Sequence, residues 1–112
     1  MKTINRVAII VRPKESFLAW ARGIDADAPA AVAAAGTSCS VYLAVAAEDE
    51  KPEIIVARHY RAIFDEELTS WDTRMSKWPS PCTLTRFREW FDVRVKEIVL
   101  DLSESPLRRE EW

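Results

Sequence analysis

Glycine is nearly missing: the chain has 112 residues and only Gly23 and Gly36. Phosphate-cradling loops of the P-loop and dinucleotide-binding kinds need several glycines, because only a backbone without Cβ comes close to a pyrophosphate. Those nucleotide motifs are excluded. Histidine occurs once, at His59, and cysteine twice, at Cys39 and Cys82. The cysteines lie far apart and match neither a zinc-ligand spacing nor a CxxC redox pair. With one histidine and no E-x-x-H pair around it, the chain predicts no metal site and no cofactor.

An excess of charge of either sign is missing too. Lys and Arg number 16 against 18 Asp and Glu, a net charge of −2, so no overall field draws the protein to nucleic acid or to an anionic membrane. Apolar runs are short. The run at 7–11 stops at Arg12, too soon for a signal-peptide core, and no stretch approaches the ~20 residues of a spanning helix. The expectation is a cytoplasmic protein with reduced cysteines and no membrane partner.

What is present is the composition of one folded domain, 48% apolar and 30% charged, in a chain long enough to bury a core without staples. Residues 1–102 are read as a single globular domain and 103–112 as a polar C-terminal tail, frayed unless Leu107 and Trp112 dock. "VAIIV" at 7–11, β-branched and apolar throughout, predicts a central strand covered on both faces. Pro13 ends it. In "KESFLAWARG", Phe17, Trp20, Ala21 and Ile24 share a helical side, and Gly23 suits a left-handed C-cap.

The Ala-rich segment 25–37 is either a short helix, with Asp27 as cap, Pro29 in its first turn and Gly36 at its end, or a loose loop. "SVYLAVA" at 40–46 predicts the second strand. Pro52 opens the longest helix, whose stripe Val56, Tyr60, Ile63, Phe64, Leu68 and Trp71 recurs in steps of three and four. Ser80 or Thr83 caps a short helix carrying Leu84, Phe87, Trp90 and Phe91. Beyond it Val93 and Val95 alternate in one phase and Ile98, Leu100 and Leu102 in the other; a bulge near Lys96-Glu97 in one long strand accounts for the shift.

The fold class is therefore α+β with an α/β-like order, β-α-(α)-β-α-α-β. About three strands form a sheet covered by helices, the last strand long and bulged. A right-handed crossover through the first helix would make the first two strands parallel neighbours.

Five tryptophans stand out in this otherwise ordinary composition. Helical periodicity accounts for Trp20, Trp71 and Trp90 as core. Trp78 lies in a connector beside Pro79, where no periodicity asks for an aromatic. It is either a plug pinning the connector to the core or a ring on an interaction surface. Trp112, last in a charged tail, is a mobile end or a peg for a partner.

"VRPKES" is a strand-to-helix turn in which Arg12, Lys14 and Ser16 could hold a phosphate or carboxylate at free helix donors, though a structural turn with solvated charges explains it as well. His59 has no partner nucleophile. Cys39 reads as a small buried hydrophobe, and Cys82, in the first turn of the short helix, as a thiol whose pKa the helix dipole could lower.

The segments "VAIIVRPK", "FLAW", "IFDEELTSW", "KWP" and "FREWFDV" together resemble a group of short uncharacterised bacterial proteins, in patches over most of the chain outside 25–37. The resemblance implies a bacterial cytosolic domain and carries no activity or catalytic residue.

Two functions compete. The first is a non-enzymatic interaction module that assembles with a protein partner or a second copy of itself, a homo-oligomer, through an aromatic surface near residues 72–82 that includes Trp78 and Trp112. The alternative is a binder of, or enzyme for, a small anion at Arg12, Lys14 and Ser16. Aromatic and arginine mixing in "TRFREWF" raises nucleic acid as a third partner, against which the charge balance argues.

Overall fold

The computed structural model describes residues 1–111. In chain order the elements are β1 (Lys2–Thr3), β2 (Val7–Pro13), α1 (Glu15–Ile24), α2 (Pro29–Gly36), β3 (Ser40–Ala44), α3 (Pro52–Thr69), a 3-10 turn (Met75–Lys77), α4 (Leu84–Trp90), β4 (Phe91–Lys96) and β5 (Leu100–Asp101). The fold is mixed α+β. A three-stranded sheet has the order β3-β2-β4, and β1 pairs with β5 in a separate two-stranded ribbon.

All pairings are antiparallel, so the parallel crossover expected between the first two strands does not form. The reason lies in the Ala-rich segment, which is helical. With α1 and α2 both between β2 and β3, the chain reverses twice and re-enters the sheet at the end it left, Ser40 standing opposite Val11. Pro29 occupies the first turn of α2, as its missing donor favours, but Asp27 makes no cap: the preceding residue is Ala28, without a side-chain bond. Gly36 lets the two helices meet closely, since a Cβ there would lie 3.2 Å from Leu18 Cδ1. Gly23 has no positive φ and lies inside α1, which ends at Asp25 instead.

One face of the sheet carries the core. Val7, Ile9 and Val11 of β2, Ala44 of β3 and Phe91 of β4 are buried with Phe17, Ala21, Val32, Ile55, Val56, Ile63, Phe64, Leu68 and Phe87 from the helices. Aromatic rings interlock within the core: the Phe91 centroid lies 5.2 Å from those of Phe17 and Phe87 and 5.6 Å from that of Phe64. Each fully buried side chain of this size contributes about 1.5–3 kcal/mol. β2 is the central strand, as expected, but its second face is covered only in part: Ala8 is buried and Ile10 half-buried there, while the strands on either side stand open. Its alternate residues Ala8, Ile10 and Arg12 lie on the opposite face in register with Leu43 and Val41 on one side and Lys96, Arg94 and Asp92 on the other. Leu43, Val41, Lys96 and Arg94 are all exposed there.

The expected long bulged last strand is instead two strands in two sheets. β4 runs out of partner at Lys96, opposite Ala8, and pairing resumes at Leu100 opposite Thr3. Five steps back from Ala8 to Thr3 answer four steps from Lys96 to Leu100, so the extra residue belongs to the N-terminal strand, around Asn5-Arg6. A bond from Ile4 N to Val99 O (3.0 Å) bridges the break. The ribbon extends a molecule whose principal extents are 44 × 29 × 24 Å.

Candidate functional site

The sequence-expected anion site does not assemble as one cradle. Arg12, exposed on the open face of the sheet, shares a depression with Ile10, Asp92 and Arg94. Lys14 is a structural tie: its backbone N donates to Trp90 O (2.8 Å) and its Nζ to Arg88 O (2.9 Å), closing the C-terminal carbonyls of α4. A cation at that helix end meets the negative pole of the macrodipole. Ser16 is exposed in the first turn of α1.

The connector after α3 is built from inside. Trp78 is half-buried against the core, and its indole Nε1–H donates to Asp72 O (2.7 Å). Trp20, also half-buried, donates its indole Nε1–H to Lys77 O (2.8 Å). The buried Asp72 carboxylate accepts the Arg74 backbone N–H (2.9 Å) and the Arg74 guanidinium (Nη2, 2.6 Å). The Arg74 side chain and backbone bonds hold the Asp72 carboxyl down at about 2. Trp71 and Trp90 are half-buried against the core as well, so the three indoles of this stretch are alike in exposure. Trp112, the other aromatic of the expected surface, lies outside the described residues.

Cys82 precedes α4, whose cap is Thr83, and does not lie in its first turn. Its Sγ donates to Pro79 O (3.1 Å). Burial pushes the thiol pKa up, with Arg61 opposing, which is the reverse of a helix-dipole activation. Cys39 is exposed, against its reading as buried, because it stands before the first residue of an edge strand rather than inside the sheet.

The feature that the sequence did not single out is β3 itself. It pairs with β2 on one side only, and its open-face side chains are apolar: Val41 is 57% exposed, Leu43 52%, and Val45 just beyond it 62%. Strands that end a sheet in this way offer a row of unpaired N–H and C=O groups, which proteins ordinarily blunt with charge or proline. No such residue occurs in 40–45.

Beside this edge runs a groove whose other wall is α3. One cavity of about 370 Å³ is lined by Tyr42, Leu43 and Ala44 and by His59, Ile63 and Glu66. A second, also about 370 Å³, continues it past Ser40, Tyr42, Glu66, Glu67, Ser70 and Trp71. The residues of α3 that line them, His59, Ala62, Ile63, Glu66 and Glu67, with the cap residue Ser70, recur at three- and four-residue steps, one stripe of a helix. From His59 to Ser70 that stripe advances about 17 Å at ~1.5 Å per residue, somewhat more than the roughly 14 Å that β3 spans in four steps of ~3.4 Å.

Within the groove Ser40 Oγ donates to Glu67 Oε2 (3.1 Å) and the Tyr42 hydroxyl donates to the same carboxylate. Burial first, and then the Glu67 carboxylate, push the Tyr42 pKa far up, so it stays a donor. At the C-terminal end of β3, Arg58 grips Glu50 in a two-bonded contact (2.6 and 2.9 Å) and donates to Val45 O (3.0 Å), which fixes the turn where Asp49 takes a left-handed φ of 64°.

The signal for this site was present in parity. "SVYLA" puts Ser40 and Tyr42 on one face and Val41 and Leu43 on the other, and a tyrosine hydroxyl facing inward needs a partner. Read as one apolar run, the segment predicted a covered strand. No family model, curated protein or solved structure matches this chain.

Proposed function

We propose that this is a non-enzymatic protein-interaction module that takes up an extended segment of a partner as an added strand along β3. The observation that carries it is an edge strand, without charge or proline in 40–45, that exposes Val41, Leu43 and, just beyond its end, Val45 and lies alongside a groove walled by α3. Main-chain pairing supplies affinity in this mode of recognition, and alternate side chains supply specificity. The interaction class is the one expected from the sequence. Its location moves from the 72–82 connector to β3, because Trp78 and Trp20 have their indole N–H groups bonded to connector carbonyls. With two free thiols, one of them exposed, the protein fits a reducing cytoplasm.

Panning a displayed random-peptide library on the protein tests the reading. Extended, β-prone sequences are enriched on the native chain and lost on V41K/L43K, a variant that charges the edge without touching the core face. Equal enrichment on the variant, or none on either protein, refutes strand addition.

A further inference from the structure

We infer that the segment accepted along β3 is cationic, alternating apolar residues with Arg or Lys; this rests on the strand-addition reading above. The two faces of the edge make different demands. Toward the open face an added strand stands beside Val41 and Leu43, both exposed, with Ile10 and Ala8 in the next row. Side chains on that side of the segment are apolar, since cross-strand apolar pairs there remove both partners from water.

Toward the groove its side chains meet Tyr42, Glu66, Glu67 and Trp71. The ion pairs of the described residues are Arg22–Glu15, Arg58–Glu50, Arg61–Asp65, Arg74–Asp72 and Arg94–Asp92. None of them neutralises Glu66 or Glu67. Glu67 is held in place by two hydroxyl donors, while the half-buried Glu66 lines both cavities. A guanidinium or ammonium entering the groove finds two carboxylates and, beyond them, the Trp71 side chain, and such a pair of carboxylates suits a cation and opposes an anion. The opposite end has the other sign: the opening beyond His59 is lined by Arg6, Arg58 and Arg109, with Glu50 already paired to Arg58, so the cationic positions of the segment are those beside Glu66 and Glu67.

The same charges disfavour a second copy as the occupant. A two-fold pairing of β3 with itself about Tyr42 would set the α3 walls of the two copies against one seam, with Glu66 and Glu67 of each facing like charge, which repels. Alternation of period two follows directly, because successive residues of the segment point to opposite faces.

The test uses three fluorescein-labelled peptides alternating valine with arginine, with serine or with glutamate, titrated onto the full chain and followed by anisotropy. The arginine peptide binds tightest, loses affinity as salt rises, and is weakened about five- to tenfold by Glu66→Gln, the size of one partly desolvated charged contact. Glu53→Gln, an exposed glutamate at the start of α3, leaves it unchanged, and an unaltered melting temperature for Glu66→Gln shows that the fold persists. Equal binding of all three peptides, or indifference to Glu66→Gln, overturns the cationic preference and leaves strand addition standing. Absence of binding by every peptide overturns both. A dimeric mass in light scattering that V41K/L43K abolishes assigns the edge to a second copy and also overturns the inference.

Discussion

Asp72 is the side chain on which the connector turns, and it is buried while its partner Arg74 lies mostly in solvent. A carboxylate out of water is tolerated only when its lone pairs are filled. Here a backbone N–H and a guanidinium fill them, and the charged form is favoured, which is why its pKa falls to about 2. A carboxyl whose native pKa lies below its unfolded value of about 3.9 contributes fully above that value and loses its contribution as pH falls through about 2. In two-dimensional amide spectra the Arg74 backbone N–H and the Trp78 indole N–H, which donates to the Asp72 carbonyl, therefore titrate together with a midpoint near 2. Asp72→Asn abolishes that titration. A midpoint at the ordinary aspartate value would mean that the Arg74 contacts do not form in solution.

α4 has seven residues, too few to persist on propensity alone. Its two ends explain why it exists: Thr83 Oγ1 accepts the Arg86 N–H (3.2 Å) at the start, and Lys14 donates to Trp90 O and Arg88 O at the finish. Thr83→Ala removes the first of these and is expected to destabilise the protein by about 1 kcal/mol in urea unfolding, whereas Thr83→Asn changes stability by a few tenths. Equal loss from both substitutions would show that the side-chain oxygen is not the cap. Helix-scale features of this kind were legible in the sequence because caps, proline in first turns and three-four spacing are local. Pro52 and the stripe through Ile63, Phe64 and Leu68 fell where the pattern put them, and the structure chose Thr83 over Ser80 and a helix over a loop at Pro29, while the caps expected at Asp27 and Gly23 did not form. Pairing was not legible. Whether Val41 and Leu43 face a second layer or water depends on how many helices lie on each side of the sheet, and the strand's own residues are the same in either case. The groove shared that difficulty, since Glu66 and Tyr42 are remote in the chain and meet only once the topology places α3 beside β3.

At the scale of the whole molecule the sheet is a single layer backed by helices on one side, and its stability is correspondingly uneven. β2 is flanked by β3 and β4 and carries Ile9 and Val11, which are fully buried, while α3 supplies five buried residues to the same core. The ribbon is the opposite extreme. β1 and β5 have two residues each, and Ile98, Leu100 and Leu102 around them are exposed, so its few hydrogen bonds lack a second layer to hold them. Two-stranded pairs without such support are marginal in water. Amide exchange reports local opening free energies. Mass-resolved exchange is expected to protect β2 and the middle of α3 longest, α2 less, since Val32 is its one buried residue, and 1–5 with 97–105 least. The outer edge of β3 decides between a finished surface and a receptive one. In the free protein those β3 amides that point away from β2 exchange with the ribbon, and saturation with the arginine peptide slows them toward the rates of β2 while leaving the ribbon unchanged. Protection of β3 already as strong as that of β2 in the free chain would mean that the edge is covered in solution, and strand addition would have no place to occur.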